Sequence, residues 1–193
     1  MSVNLPNGLT LFRIALIPLM VIVFYWPPQG MPMLSAAMFV AGAITDGLDG
    51  YLARKFGQTS AFGAFLDPVA DKLSVTTALF LIVQADPSPL MATLSAIIVG
   101  REITISALRE WMAEIGERMR VGVATIGKIK TIVQMSAIGV LLFQHPKYPL
   151  FKLPLYQFGQ FLLLAAAALT LWSALVYLKW AWPAIRANDA GKS

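Results

Sequence analysis

Cysteine is absent from the 193-residue chain, which excludes disulfides and thiolate metal sites. Histidine occurs once, at His145, so an imidazole cluster is excluded as well. Charge is scarce: 13% of residues are Asp, Glu, Lys or Arg, against roughly a quarter in a soluble domain. The N-terminus has no basic stretch leading to a small-residue cleavage site, so no signal peptide is expected. Short alternating segments of the kind that build a transmembrane β-barrel are missing too. What fills the chain is apolar: 58% of residues are hydrophobic, and the mean hydropathy is +0.69. Several runs approach the roughly 20 residues that cross a bilayer as a helix. The sequence therefore predicts one all-α domain, a polytopic membrane bundle. The net charge of +5 is read as cytoplasmic loops and an anionic substrate rather than nucleic acid.

Proline and glycine clusters divide the chain into six expected spans: 9–26, 32–54, 62–85, 90–115, 122–144 and 156–182. Residues 2–8 are expected to form a short interfacial segment, and residues 183–193 to be loosely ordered. The turns at 26–31 and 86–89 carry no Lys or Arg, and the third turn on that side has only Lys147 and Lys152. Arg54, Lys55, Arg118, Arg120, Lys179, Arg186 and Lys192 fall on the other side. The positive-inside rule makes that side cytoplasmic, with both termini. Trp26, Trp180, Trp182, Tyr148 and Tyr156 sit near span ends and read as an aromatic belt. His145 lies on the outer side.

Charges inside spans are costly and usually face a cavity or a partner. Counted from the outer helix ends at 1.5 Å per residue, Asp46 and Asp71 both fall about 21 Å across. Asp49 and Asp67 fall at about 25 and 27 Å, and Arg13, Arg101, Arg109, Lys128 and Lys130 between about 16 and 28 Å. The first five helices thus place charge in one slab, which predicts a polar cavity open to the cytoplasm. The sixth carries none in its span and reads as support or a lipid-facing wall. Asp46, Asp49, Gly50, Ala53 and Arg54 share one stripe of the second helix. Gly63, Asp67 and Asp71 share one stripe of the third. Four carboxylates brought together in a low dielectric need cations. All-oxygen ligands favour Mg²⁺ or Mn²⁺, and two ions suit four carboxylates. Gly47, Gly50 and Gly63 would let a ligand or a neighbouring backbone approach closely.

Residues 46–71, DGLDGYLARKFGQTSAFGAFLDPVAD, match D-x₂-D-G-x₂-A-R-x₈-G-x₃-D-x₃-D at every fixed position. The chain is identified by this pattern as resembling the CDP-alcohol phosphatidyltransferase family. Residues 6–13, 101–114 and 127–131 resemble the branch of that family whose acceptor is glycerol-3-phosphate, as do residues 169–173. The resemblance implies attack of a glycerol-3-phosphate hydroxyl on the lipid-side phosphate of CDP-diacylglycerol, giving phosphatidylglycerophosphate and CMP. It implies that Asp46, Asp49, Asp67 and Asp71 hold two divalent ions, with Asp71 also the general base. Gly50, Ala53, Arg54 and Gly63 would line the cytidine site. Asn7, Thr10 and Arg13 would hold the nucleotide phosphates or set the first helix beside the metals. A homodimer in the bacterial inner membrane is implied as well.

An acceptor bearing its own phosphate needs further cations, and Arg101, Arg109, Arg118, Lys128 and Lys130 are the candidates. They favour glycerol-3-phosphate over serine, and leave inositol phosphate or phosphatidylglycerol as alternative acceptors. The competing reading of Arg109 is ion pairing with Glu102 and Glu110. Glu110, Glu114 and Glu117 read as a solvated face, and Lys72 as a local offset to Asp71. A small ion-coupled transporter would also carry intramembrane charge, but internal repeats and discontinuous helices are expected of one. A purely structural subunit leaves the four aligned carboxylates without a role.

Overall fold

Proline, glycine and short polar side chains set the helix ends. The computed structural model describes residues 5–26, 31–56, 61–116, 124–143 and 154–190. Within them the chain forms α1 (Leu5–Phe24), α2 (Pro32–Phe56), α3 (Ala61–Ala85), α4 (Pro89–Glu114), α5 (Ala124–Phe143) and α6 (Leu155–Ala190), with no strand among the described residues. Helix α4 shows the local logic. Asp86 Oδ1 accepts the Ser88 N–H at 3.3 Å, Ser88 Oγ accepts the Met91 N–H at 3.4 Å, and Pro89 takes the first turn, where its missing N–H costs nothing. At the other end Gly116 turns left-handed at φ 79° and donates to the Ala113 carbonyl at 3.2 Å, a conformation that suits glycine.

Two helices overrun their expected limits. Helix α1 already includes residues 5–8, most of the stretch expected to be a separate interfacial segment; residues 2–4 of that expectation lie outside the described residues. Helix α6 continues through Pro183 to Ala190, where loose structure is expected from the sequence. The Arg186 guanidinium lies 5.3 Å from the Trp182 ring centre, an i, i+4 contact that bridges the proline.

The packing sorts apolar from polar along the length of the bundle. One buried apolar cluster draws on the C-terminal halves of α1, α3 and α5 (Met20, Leu79, Ile138) and the N-terminal halves of α2, α4 and α6 (Phe39, Ile98, Leu163). Successive helices therefore run in alternating directions, with this cluster at one end. Helix α1 packs on α2 and α3, α5 on α2, α3 and α6, and α4 on α3 and α6. Gly159 of α6 permits the closest approach: a Cβ there would lie 2.9 Å from Leu141 on α5.

Outward faces are apolar as well: Phe80, Ile132, Phe161, Trp172 and Leu175 are all exposed. Among the described residues two helices, Pro89–Glu114 and Leu155–Pro183, are long and apolar enough to cross a membrane. Gly8–Phe24, Pro32–Leu48 and Ile129–Phe143 are shorter apolar stretches.

Candidate active site

The polar half of the bundle is assembled from α1 outward. Thr10 and Arg13 lie three residues apart on one face of α1, and both are buried. Thr10 Oγ1 donates to Asp67 Oδ1 on α3 at 2.7 Å. Arg13 Nη1 donates to Asp46 Oδ1 on α2 at 2.5 Å. One face of α1 thus bridges two acidic helices. Gly42, one turn before Asp46, faces the Arg13 stem, and a Cβ there would stand 3.6 Å from Arg13 Cγ. Arg13 is sunk to 2% exposure, while the Asp46 side chain remains 48% exposed.

Asp71 lies one turn beyond Asp67 and is partly buried. Asp46, Glu102, Arg13 and Lys72 are within electrostatic reach of it. It lines a cavity of about 190 Å³ bounded by α3, α4, α5 and α6, whose polar walls include Arg101, Glu102, Arg109, Lys130 and Ser173. A wider groove of about 520 Å³ between α3 and α4 shares Asp71, Lys72, Glu102 and Arg109 and adds Phe65, Pro68 and Val69. Lys72 therefore borders both spaces.

Glu102 ties this cavity together. Its Oε1 accepts from Lys130 Nζ and, at 3.2 Å, from Arg101 Nη1. Helix α4 packs on α3 and α6 rather than on α5. Glu102 and Lys130 consequently meet across the gap by the length of their side chains, and that gap is the cavity. In place of Arg109, the partner the sequence offers, Glu102 takes Lys130 from α5 and its own sequence neighbour Arg101. Arg101 Nη2 also donates to Ser173 Oγ at 2.5 Å, and its guanidinium carbon lies 5.8 Å from the Tyr177 ring centre. Helix α6, expected to be support or a lipid-facing wall, exposes Phe161, Trp172 and Leu175 on one face and also lines the polar cavity with Ser173 and Tyr177 on another. Ser173 and Tyr177 are uncharged and lie inside an apolar span; Ser173 ends the 169–173 stretch that resembles the family, and Tyr177 has only its i, i+4 spacing from Ser173 to mark it.

Several expected site residues lie outside what the structure describes. Arg118 falls in such a segment. Asn7, Asp49, Gly50, Ala53, Arg54 and Lys128 are on helices, but nothing is described of their side chains. Gly63 is buried. A Cβ on Gly47 would meet nothing within 4 Å, so Gly47 is open rather than packed. At the opposite end, Tyr156 is more than a belt residue: its hydroxyl donates to Asp86 Oδ2 at 2.6 Å, and Gln160 Nε2 adds a 3.4 Å contact to the same oxygen.

The carboxylates come from α2 and α3: Thr10 bonds to Asp67 Oδ1 and Arg13 to Asp46 Oδ1. Among the described residues no three acidic side chains converge on one point, the Asp49 side chain being outside that set.

The chain is similar to known proteins over most of its length. The sequence model of the CDP-alcohol phosphatidyltransferase family matches residues 3–172. A Haemophilus influenzae protein named CDP-diacylglycerol–glycerol-3-phosphate 3-phosphatidyltransferase is 48% identical over 93% of this chain and 94% of its own. Relatives of the same name from Salmonella typhimurium and Yersinia pestis (strain Pestoides F) are also 48% identical, over 92% and 94% of this chain and 94% and 97% of theirs.

Proposed function

This chain belongs to the CDP-alcohol phosphatidyltransferase family, and from that membership we propose that it transfers the phosphatidyl group of CDP-diacylglycerol to glycerol-3-phosphate, releasing CMP. The observation that carries the choice of acceptor is one shared cavity. Asp71 lines the same space as Arg101, Arg109 and Lys130. A carboxylate able to take a hydroxyl proton thus stands beside cations able to hold a phosphate on the same small molecule. The acceptor phosphate is gripped between α4, α5 and α6, and its primary hydroxyl is turned toward Asp71. The relatives' names point to the same pair of substrates.

The chain's own groups account for binding and orientation. Asp46, Asp49, Asp67 and Asp71 would hold Mg²⁺ or Mn²⁺, which when bound neutralises the pyrophosphate and stabilises CMP as leaving group. Thr10 and Arg13 fix the directions of Asp67 and Asp46. Gly50, Ala53, Arg54 and Gly63 border the cytidine side of the site, with Asn7 at the start of α1. Arg118 and Lys128 add positive charge at the acceptor side. An Asp71 carboxylate oxygen accepts the proton of the attacking hydroxyl. All six helices cross the bacterial inner membrane, and the charges within them are tolerated because they pair with one another, as Arg13 does with Asp46, or line the cavity, as Asp71, Arg101, Glu102 and Lys130 do. The cavity and both termini face the cytoplasm, and the working unit is a homodimer.

The test is CMP release by purified protein with CDP-diacylglycerol and Mg²⁺, offered glycerol-3-phosphate, inositol phosphate, serine or phosphatidylglycerol separately. Selective turnover of glycerol-3-phosphate, abolished by EDTA and restored by Mg²⁺, is expected. Asp71→Asn should lower kcat far more than it raises either KM; a loss of binding alone would reject the base role. Turnover with another acceptor would overturn the assignment of the cationic cavity.

A further inference from the structure

Ser173 and Tyr177 stand one turn apart on α6 and face the cavity together. Both lie past residue 172, where the family match ends. We propose that they are positioning residues: they fix the Arg101 guanidinium as a ligand for the acceptor's phosphate, so that α6 sets acceptor affinity. The inference rests on reading the acceptor as a phosphate monoester.

The geometry of Arg101 carries it. The side chain is 10% exposed. Nη1 is committed to Glu102 and Nη2 to Ser173, while the buried Nε has no hydrogen-bond partner among the described residues. A guanidinium is a rigid planar fork with five N–H donors. Holding it at both Nη atoms sets the direction of every remaining donor. The Tyr177 ring packs 5.8 Å from the guanidinium carbon and restrains it further. Ser173 is itself directed: its hydroxyl donates to the Thr170 carbonyl at 3.1 Å, so toward Arg101 it can only accept. Buried donors left over beside a cavity await an acceptor.

The charge of the cavity names that acceptor's class. Lys72, Arg101, Arg109 and Lys130 line it against Asp71 and Glu102, a formal surplus of two positive charges. A phosphate monoester carries about −1.5 to −2. Serine would leave the surplus uncompensated.

The experiment measures inorganic phosphate binding by calorimetry on the purified full-length protein, together with KM for both substrates. Ser173→Ala should weaken phosphate binding and raise the KM for glycerol-3-phosphate roughly tenfold, the loss of one hydrogen bond to a charged group. Tyr177→Leu should do so about threefold. Ser173→Thr and Tyr177→Phe, which keep the hydroxyl and the ring face, should stay near the parent, and the KM for CDP-diacylglycerol should not move. The proposal is overturned if the parent binds no phosphate, if Ser173→Ala and Tyr177→Leu bind it as the parent does, or if both substrates' KM values rise alike. If Ser173→Ala does not fold, Tyr177→Leu decides alone. Phosphate binding that responds as described in a protein that does not turn over glycerol-3-phosphate would sustain the inference and sink the proposed reaction.

Discussion

Removing the Glu102 carboxylate is the most informative single perturbation of the cavity. In Glu102→Gln, Lys130 and Arg101 lose their shared partner and are left as two cations facing each other. The Lys130 side chain is 6% exposed and that of Glu102 23%, so water can replace little of what is lost. Breaking a buried pair from one side costs about 3–5 kcal/mol. The partial exposure of Glu102 and the second bond of Arg101 to Ser173 place the expectation at the lower end, about 3 kcal/mol. At about 2–4 °C per kcal/mol for a chain of this size, the melting temperature should fall by roughly 6–12 °C. The chain's five tryptophans allow the transition to be followed by fluorescence in detergent. Lys130→Met should also destabilise, by less, since Glu102 keeps Arg101. The combination of the two should recover at least about 1.5 kcal/mol relative to the sum of the singles, because residues in one network do not add independently. A Glu102→Gln protein that melts with the parent, or a double variant that loses the full sum, would refute the claim that this pair spans the cavity.

Three further outcomes are expected. Gly159→Val should cost about 1–3 kcal/mol by thermal unfolding, since its Cβ would stand 2.9 Å from Leu141; a neutral result would mean that α5 and α6 are not so close. Tyr156→Phe should cost about 1.5 kcal/mol for the lost bond to the Asp86 carboxylate, and a melting temperature within error of the parent would count against that bond. Arg13→Lys keeps the charge beside Asp46 but not the planar fork, and CMP release should fall about tenfold; undiminished turnover would reduce Arg13 to a simple counter-charge.

Helices and their order were legible because proline, glycine and polar clusters interrupt the apolar runs. The end of α6 was not, because Pro183 reads as a stop while the stabilising contact, Arg186 on Trp182, lies on its far side. The stripes of α2 and α3 follow from helical periodicity alone, whereas the expectation that α1 stands beside them came from the resemblance to the family. Partner choice inside the cavity was beyond that reach. Glu102 has Arg109 seven residues away on its own helix, yet it takes Lys130 from α5 and its sequence neighbour Arg101. Which cation comes nearest depends on how α4 and α5 are held apart, and that is a property of the packing. Ser173 and Tyr177 were hidden for a different reason: a neutral side chain in an apolar span carries no charge to betray its position.

The Asp86–Tyr156–Gln160 cluster ties the start of α6 to the turn between α3 and α4, at the end of the bundle remote from the carboxylates. Seventeen residues of helix separate Tyr156 from Ser173, about 26 Å of rigid arm. A tilt of only about 2° around that anchor would carry the far end about 1 Å, enough to part a hydroxyl from a guanidinium. Loosening a bond at one end of the bundle should therefore be felt as weaker acceptor affinity at the other: Tyr156→Phe acts at the pivot of a lever whose tip is Ser173.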